Sequence, residues 1–514
     1  MIVQVLCAAL HGIDAFKVDL EVDIARQGLP SFSMVGLAEG AVREARERVL
    51  AALRNGNYRL PPARITINLA PADRRKDGSA YDLPMAVGLL GAADMLPPER
   101  MEGYMLAGEL SLTGEVKPVP GILPMAVLAR RLGARGMIAP RENCAEAAVV
   151  EGLAVYPVET LGETVNFLTG AVAIAPAAAQ APMPDHGSFP MDFSEVKGQE
   201  HAKRAIEIAA AGGHNLLFLG PPGSGKTMLA QRIPTVLPPL DFDEALEVST
   251  IYSVAGLLPS GRGLLTQRPF RAPHHTISHI GLVGGGTYPR PGEVSLAHRG
   301  VLFLDEMPEF SKQALETLRQ PLEDGVVSIT RAAASLRYPA DFMLVASMNP
   351  CPCGYSTDPR RACTCSAQEV QRYRARLSGP LLDRIDLHVE VPAVEYDDLR
   401  AVNAGESSVA MYGRIKQART IQEKRYTGMN GSVGPICRSN ADLSGTLLEL
   451  HCRLDSESQA FLGRAVQALA LSARAYTRIL RIARTIADMA DESQIRMPHI
   501  AEAVNCRALD RQQG

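Results

Sequence analysis

Residues 215–227 read NLLFLGPPGSGKT, an apolar run that passes without interruption into a glycine-rich loop ending in Lys226 and Thr227. The run has the length of a buried strand. A loop of this kind closes into a helix whose free backbone N–H groups face an anion. Gly220, Gly223 and Gly225 let the backbone turn tightly and approach phosphate with no Cβ in the way. With Pro221, Pro222 and Ser224 between them, they form an expected ATP-binding set from Gly220 to Thr227. Lys226 is expected to reach the β and γ phosphates, and the Thr227 hydroxyl to hold Mg²⁺. A plain glycine loop is the competing reading, and the apolar strand before it argues against that.

Two later runs, VLFLDE (301–306) and DFMLVASMN (341–349), are short, apolar and bounded by polar residues, the pattern of buried parallel strands. The first ends in two carboxylates, where Asp305 would hold Mg²⁺ together with Thr227 and Glu306 would polarise an attacking water. An acidic pair after a strand is usually a solvated loop. Behind a phosphate loop it becomes half of a hydrolytic site. Asn349 ends the second run, where the γ-phosphate and water would lie, although an Asn before Pro350 also suits a turn.

The 514 residues, 46% hydrophobic and 21% charged, describe globular material of several domains, and a formal charge of -3 provides no general basic field for nucleic acid. Any DNA contact must come from local patches or the lining of a ring. No apolar run approaches the roughly 18 residues of a membrane span, and the first residues lack a signal-peptide pattern, so a cytoplasmic protein without membrane partners is expected. The Ala/Pro-rich segment 171–190 lacks bulky anchors and reads as a linker. It separates a mixed α/β half, residues 1–170, from an ATPase core, 191–395, and a helical lid with its own linker, 396–514. In the first half, 17–24 and 64–70 alternate as strands, and 38–55 has helical spacing at Val42, Ala45, Val49 and Leu53, closed by Gly56. Beyond about residue 440 only helical patterns occur, at 456–470, 472–489 and 497–508.

Nine cysteines in a reducing compartment are read for metal or packing. Cys351, Cys353, Cys363 and Cys365 form two C-x-C pairs that can supply four thiolates to one structural Zn²⁺, serve as buried or redox-inert thiols, or act as a redox switch. Cys7, Cys144, Cys437, Cys452 and Cys506 are scattered and read as packing residues. His274, His275 and His279 have no matching acidic ligands and read as hydrogen-bonded or DNA-facing loop residues.

DFSEVKGQEHAKRAIEIAAAGGHNLLFLGPPGSGKT, APHHTISHIGLVGGGTYPRPGEVSLAHRGVLFLDE, MNPCPCGY and LSGPLLDRIDLHVEVP together resemble the AAA+ ATPases, and more narrowly the magnesium-chelatase-like group that includes the ComM/YifB proteins. The resemblance covers nearly the whole chain. It implies a P-loop parallel sheet with a helical C-terminal lid, ATP and Mg²⁺ as ligands, and a ring of subunits, usually a hexamer. Asn349 is then similar to sensor 1, and Arg384 to the arginine finger offered to a neighbouring subunit. Arg474 in SARAYTRILR is similar to sensor 2, with Arg478 and Arg481 on the same helix face. A surface ion pair is the alternative for each arginine. Residues 270–294, which include Arg290, resemble the insert in the second ATPase helix. Residues 326–339 resemble a hairpin before sensor 1, with Arg331 near its tip. In ring helicases such elements meet single-stranded or branched DNA, so Arg290 and Arg331 are candidate DNA contacts.

TGEVKPVPGILPMAVLARRLGARGMIAP (113–140) and RRKDGSAYDLPMAVGLL (74–90) resemble the proteolytic domain of Lon and its counterpart in RadA, a ribosomal S5 domain 2-like fold. A serine-lysine peptidase needs a Ser activated by a partly deprotonated Lys. Here Ala80 stands at the nucleophile position, and Leu123, Pro124 and Met125 occupy the lysine region. Ser79, Lys76 and Lys117 leave a shifted dyad as the only alternative. The resemblance therefore points to an ATPase acting on DNA, in helicase or branch-migration work during recombination of incoming DNA. A chelatase-like ATPase that remodels a protein for metal insertion and an ATP-gated scaffold are the competing functions.

Overall fold

A computed structural model describes residues 2–27, 29–37, 40–178, 189–286, 289–331, 334–358, 360–394, 405–427, 437–507 and 509. The first half is built on a mixed seven-stranded sheet. Across it, in order, run Ser31–Val35, Arg64–Ala70, Asp14–Ala25, Ile2–His11, Tyr104–Leu106, Gly136–Pro140 and Val155–Val158. Period-two alternation sets its inner face: Val18, Leu20, Val22 and Ile24 of one strand and Ile65, Ile67 and Leu69 of the next are all buried. Helix Gly40–Asn55 presents Val42, Ala45, Val49 and Leu53 to that face, as its spacing predicts. The positive φ that closes this helix belongs to Asn57, at 63°, and not to Gly56, because asparagine tolerates the left-handed region.

The seam lies later than composition suggests. Ile174 packs on the first core and the Ala177 N–H donates to the Val155 carbonyl at 2.7 Å, so the start of the Ala/Pro segment belongs to the first domain. Small residues can anchor a chain when one bulky neighbour and a backbone bond fix it. Residues 179–188 of the expected linker lie outside the described residues.

The second half centres on a five-stranded sheet in the order Phe270–Arg271, Val301–Leu304, Met343–Met348, Leu216–Leu219 and Leu387–Glu390. Every pairing in it is parallel. Its strands are buried on both faces: Leu216, Phe218, Val301 and Phe303 enter one core, while Leu217, Leu219, Leu302 and Leu304 enter the other. Burial of such a side chain is worth about 1.5–3 kcal/mol. The register aligns Leu219 with Met348 and Leu304 with Ala346, so the strands end within two residues of one another. Gly220, Asp305 and Asn349 consequently emerge at one edge.

Helix Glu200–Gly212 carries the lid. Helices Ser408–Thr427 and Ala473–Met489 contribute Met411, Ile415, Ile479 and Ile482 to the same core. The buried Gln422 donates to the Ala211 carbonyl at 3.0 Å. Helices Ser456–Ala468 and Met497–Asn505 match the expected periodic runs, whereas Ser408–Thr427 has apolar positions too sparse to declare themselves. Among the described residues no helix is long and apolar enough to cross a membrane.

The two halves are joined by helix Ile122–Arg131, which packs on helix Phe242–Ala255. The Gly121 N–H donates to the Ser253 carbonyl at 2.9 Å, and the Leu123 N–H to Ser253 Oγ at 3.4 Å. The segment expected to carry a peptidase lysine is thus apolar because it docks on the second domain. No Ser-Lys dyad forms there among the described residues. Lys76 is fully buried with its ammonium on the Gly36 and Pro71 carbonyls, and Lys117 pairs with Glu115 at 2.7 Å. Ala80 is itself buried.

Candidate functional site

Gly225, at φ 91°, turns the loop into the helix that starts at Lys226. Gly223 is also left-handed, at φ 78°, and a Cβ built on either glycine meets nothing within 4 Å. The backbone angle demands glycine here, and the space beyond is open. At Gly220 the reason differs, since a Cβ would lie 2.1 Å from the Val391 carbonyl oxygen. Lys226 folds back over this loop. Its ammonium donates to the carbonyls of Gly220 at 2.7 Å and Pro221 at 2.8 Å, and to Asn349 Oδ1 at 3.3 Å. Burial pushes its pKa down to about 8, against the pull of Asp305 and Glu306.

Across the edge, Thr227 Oγ1 donates to Asp305 Oδ2 at 2.8 Å. Asp305 Oδ1 accepts from Ser347 Oγ at 2.5 Å, and Ser347 Oγ in turn accepts from the Glu306 N–H at 3.0 Å. Glu306 is exposed and sits in the left-handed region at φ 52°, a conformation that costs a non-glycine residue about 1–3 kcal/mol. The Ser347 bond and the turn bond from the Glu309 N–H to the Glu306 carbonyl, at 2.8 Å, hold it there. Ser347 was not expected. Its signal is a small hydroxyl inside the otherwise apolar strand MLVASM, fully buried where only a hydrogen-bonded polar group is stable.

These residues fit ATP and Mg²⁺. A desolvated ammonium bonded only to neutral oxygens, open space at two left-handed glycines, and a buried Ser224 hydroxyl with no partner among the described residues lie at one loop. An anion satisfies all three. The adjacent hydroxyl of Thr227 and carboxylate of Asp305 are the hard oxygen donors that Mg²⁺ takes.

Arg384 and Arg474 stand elsewhere. Both line a cleft of about 1240 Å³ with Arg478, Arg481, Glu323 and Asp383, and no residue of 220–227, nor Asp305, Glu306 or Asn349, reaches it. Arg384 is largely buried: it pairs with Glu323, donates to the Pro380 carbonyl at 2.5 Å, and its Nε has no partner among the described residues. Arg474 is 62% exposed, 3.7 Å from Asp383. Arg478 instead braces the sheet, donating to the Ile385 carbonyl at 3.0 Å beside Asp386. Of the arginines on that helix face, Arg474 is the most exposed. It sits on the lid as expected, yet beside Arg384 and away from the chain's own phosphate loop.

The insert and the hairpin lie against each other. Val326–Arg331 pairs antiparallel with Ala334–Pro339 down to the rung Arg331–Ala334, next to the tip. Tyr338 Oη donates to the Pro289 carbonyl at 2.8 Å, tying the hairpin to the strand Arg290–Pro291. Arg290 and Arg337 are exposed there; the side chain of Arg331 lies outside the described residues. The four cysteines of the 351–365 loop converge, with all four sulfurs within 4.8 Å of one another. The histidines do not: His274 stacks on His275 and shares a hydrogen bond with Thr276, and the cysteines are the only potential ligand cluster of three or more among the described residues. Cys7, Cys144, Cys437, Cys452 and Cys506 are buried, as packing residues are.

Known proteins resemble this chain in sequence. The family profile of the magnesium chelatase subunit ChlI matches residues 192–399, that of subunit ChlI of Mg-chelatase matches 20–143, and that of the ChlI C-terminal region matches 405–507. The competence protein ComM of Haemophilus influenzae is 44% identical over 509 residues, covering 98% of this chain and 97% of that protein. The YifB protein of Escherichia coli is 43% identical over 507 residues, covering 98% and 96%. The magnesium-chelatase 38 kDa subunit of Rhodobacter capsulatus is 28% identical over 176 residues, 31% of this chain and 50% of that protein. With its parallel P-loop sheet, helical lid and end-to-end similarity, the chain belongs to the ComM/YifB family of magnesium-chelatase-like AAA+ ATPases.

Proposed function

We propose that this chain is an ATP-hydrolysing motor that assembles as a ring, usually a hexamer in the AAA+ ATPases it resembles, and moves DNA strands. The observation that carries the reading is the position of Arg384 just before the strand Leu387–Glu390, whose Leu387 aligns with Leu216, at the sheet edge opposite Gly220. A cation set in a cleft facing away from its own nucleotide is of use to the nucleotide of a neighbour. Bound Mg²⁺–ATP supplies an electrophilic phosphoryl group and the free energy of its transfer. The Gly220–Thr227 loop and Lys226 bind its phosphates, Thr227 and Asp305 hold the metal, and Glu306 orients and deprotonates the attacking water beside Asn349. Arg384, with Arg474 beside it, meets the charge that develops on the neighbour's phosphate, which ties hydrolysis to movement between subunits.

The paired insert and hairpin, with exposed Arg290 and Arg337 and with Arg331 at the last rung, support a DNA backbone contact inside the ring. The competence protein of Haemophilus influenzae, similar over nearly the whole chain, supports a role in recombination of incoming DNA, by branch migration or unwinding in the cytoplasm. The second reading is a chelatase-like ATPase that remodels a protein partner. The profile names favour it, and the first half does not separate the two, since a chelatase-named profile also matches residues 20–143. Its relative covers less than a third of the chain, however. Turnover should rise with branched or single-stranded DNA and vanish in Lys226→Ala and Glu306→Gln. Hydrolysis indifferent to DNA, with no movement of a synthetic four-way junction, refutes the motor.

A further inference from the structure

The loop from Cys351 to Cys365 takes no part in the chemistry above, yet it leaves directly from Asn349 and returns to helix Ala367–Arg374. Among its described residues it contributes a single fully buried side chain, Cys351, to any core. The sulfurs of Cys351 and Cys353 are 3.3 Å apart, those of Cys351 and Cys363 3.7 Å, and those of Cys353 and Cys363 3.5 Å. With Cys365 all four fall within 4.8 Å of one another. A tetrahedron of thiolates at the usual zinc–sulfur bond length has edges of about 3.8 Å. The spacing is therefore that of one metal centre and too long for disulfides.

The loop also presses on the phosphate loop. Gly354, at φ 87°, comes so near Pro222 that a Cβ built on it would lie 2.5 Å from the proline Cδ. Its N–H closes a turn on the Cys351 carbonyl at 3.0 Å. The tip of the cysteine knuckle and the second residue of the loop's Pro-Pro pair are thus in direct contact. At the other end, Pro350 separates Cys351 from Asn349, whose amide oxygen accepts from Lys226.

We propose that Cys351, Cys353, Cys363 and Cys365 bind one Zn²⁺ as a closed structural site, and that this metal buttresses the nucleotide site through the Gly354–Pro222 contact and the position of Asn349. Loss of zinc loosens a brace on the phosphate loop while leaving every phosphate-binding residue in the chain. The second half of the proposal rests on the nucleotide reading of that loop; the metal content does not.

Zinc is measured by plasma mass spectrometry on the full chain purified without added metal or chelator, with about one Zn per chain expected. Replacement by Co²⁺ is expected to give the visible absorption of tetrahedral thiolate coordination. Cys363→Ser/Cys365→Ser is expected to lose the metal and to weaken binding of a fluorescent ATP analogue by about tenfold, with circular dichroism unchanged. Gly354→Ala is expected to keep the metal and weaken the nucleotide. If the serine variant does not fold, zinc is instead withdrawn from the unaltered protein with a mercurial reagent while nucleotide affinity is followed. Less than about 0.3 Zn per chain overturns the metal site. Zinc loss with nucleotide affinity unchanged overturns the brace, and so does a Gly354→Ala protein that binds nucleotide normally.

Discussion

Ser347→Ala removes the hydroxyl that links the two carboxylate positions of the site. Ser347 is fully buried, donates to Asp305 Oδ1 at 2.5 Å and accepts from the Glu306 N–H at 3.0 Å. The bond to a carboxylate is charge-assisted, worth about 1.5–3 kcal/mol, and its loss leaves Asp305 fixed by Thr227 alone among the hydrogen bonds described. The freed Glu306 N–H also loses the bond that holds a left-handed glutamate. If about 1.5–3 kcal/mol of this is lost in the transition state, turnover falls by about ten- to a hundredfold. Affinity for ATP without Mg²⁺ should change less than about twofold, because Ser347 touches neither Lys226 nor the glycines. A coupled ATPase assay reads the first quantity and titration of a fluorescent nucleotide in EDTA the second. Turnover within twofold of the unaltered protein, with fold and affinity intact, would refute the positioning argument.

Three further outcomes follow from the same geometry. Burial holds Lys226 at about 8, and a bound phosphate raises it again, so nucleotide binding should take up protons and weaken as pH rises above about 8. Calorimetry in buffers of different ionisation enthalpy should show that uptake near pH 9 and almost none near pH 6.5. Arg384→Ala should reduce turnover by about a thousandfold while nucleotide affinity stays within a few-fold, checked by the same two assays. Arg48→Met should destabilise the first domain by about 3–5 kcal/mol, seen as a lower unfolding midpoint, because Asp82, fully buried and bound by Arg48 at 2.6 Å, is left without a countercharge.

How much of this the sequence disclosed depends on how local each signal is. The phosphate loop, the two acidic residues and Asn349 lie at the ends of short apolar strands, and both the strand periodicity and the glycines are written within a few residues. Their convergence needed only a parallel sheet. Ser347 was missed because its importance lies in the register of Val301–Leu304 with Met343–Met348, which no single run displays. The apolar segment at Leu123 looked like the remnant of a peptidase site, and its apolarity has a present use, docking on Phe242–Ala255. Arg474 was legible as a lid arginine. Where it sits relative to the phosphate loop depends on how the lid helices wrap Glu200–Gly212, a tertiary matter. The long helix Ser408–Thr427 escaped notice because its buried positions include Gln422, whose partner is a backbone carbonyl far away in sequence.

Mixing two inactive variants tests directly whether a second copy of the chain completes the nucleotide site. Glu306→Gln lacks the water-activating carboxylate and Arg384→Ala lacks the arginine. In rings reassembled from equal amounts, about one quarter of the interfaces join an intact carboxylate to an intact arginine from the neighbour. The prediction is that DNA-stimulated hydrolysis reappears in the mixture, at up to about a quarter of the unaltered rate, although neither variant turns over alone. Mixed rings verified by mass measurement that remain as inactive as their components would contradict it.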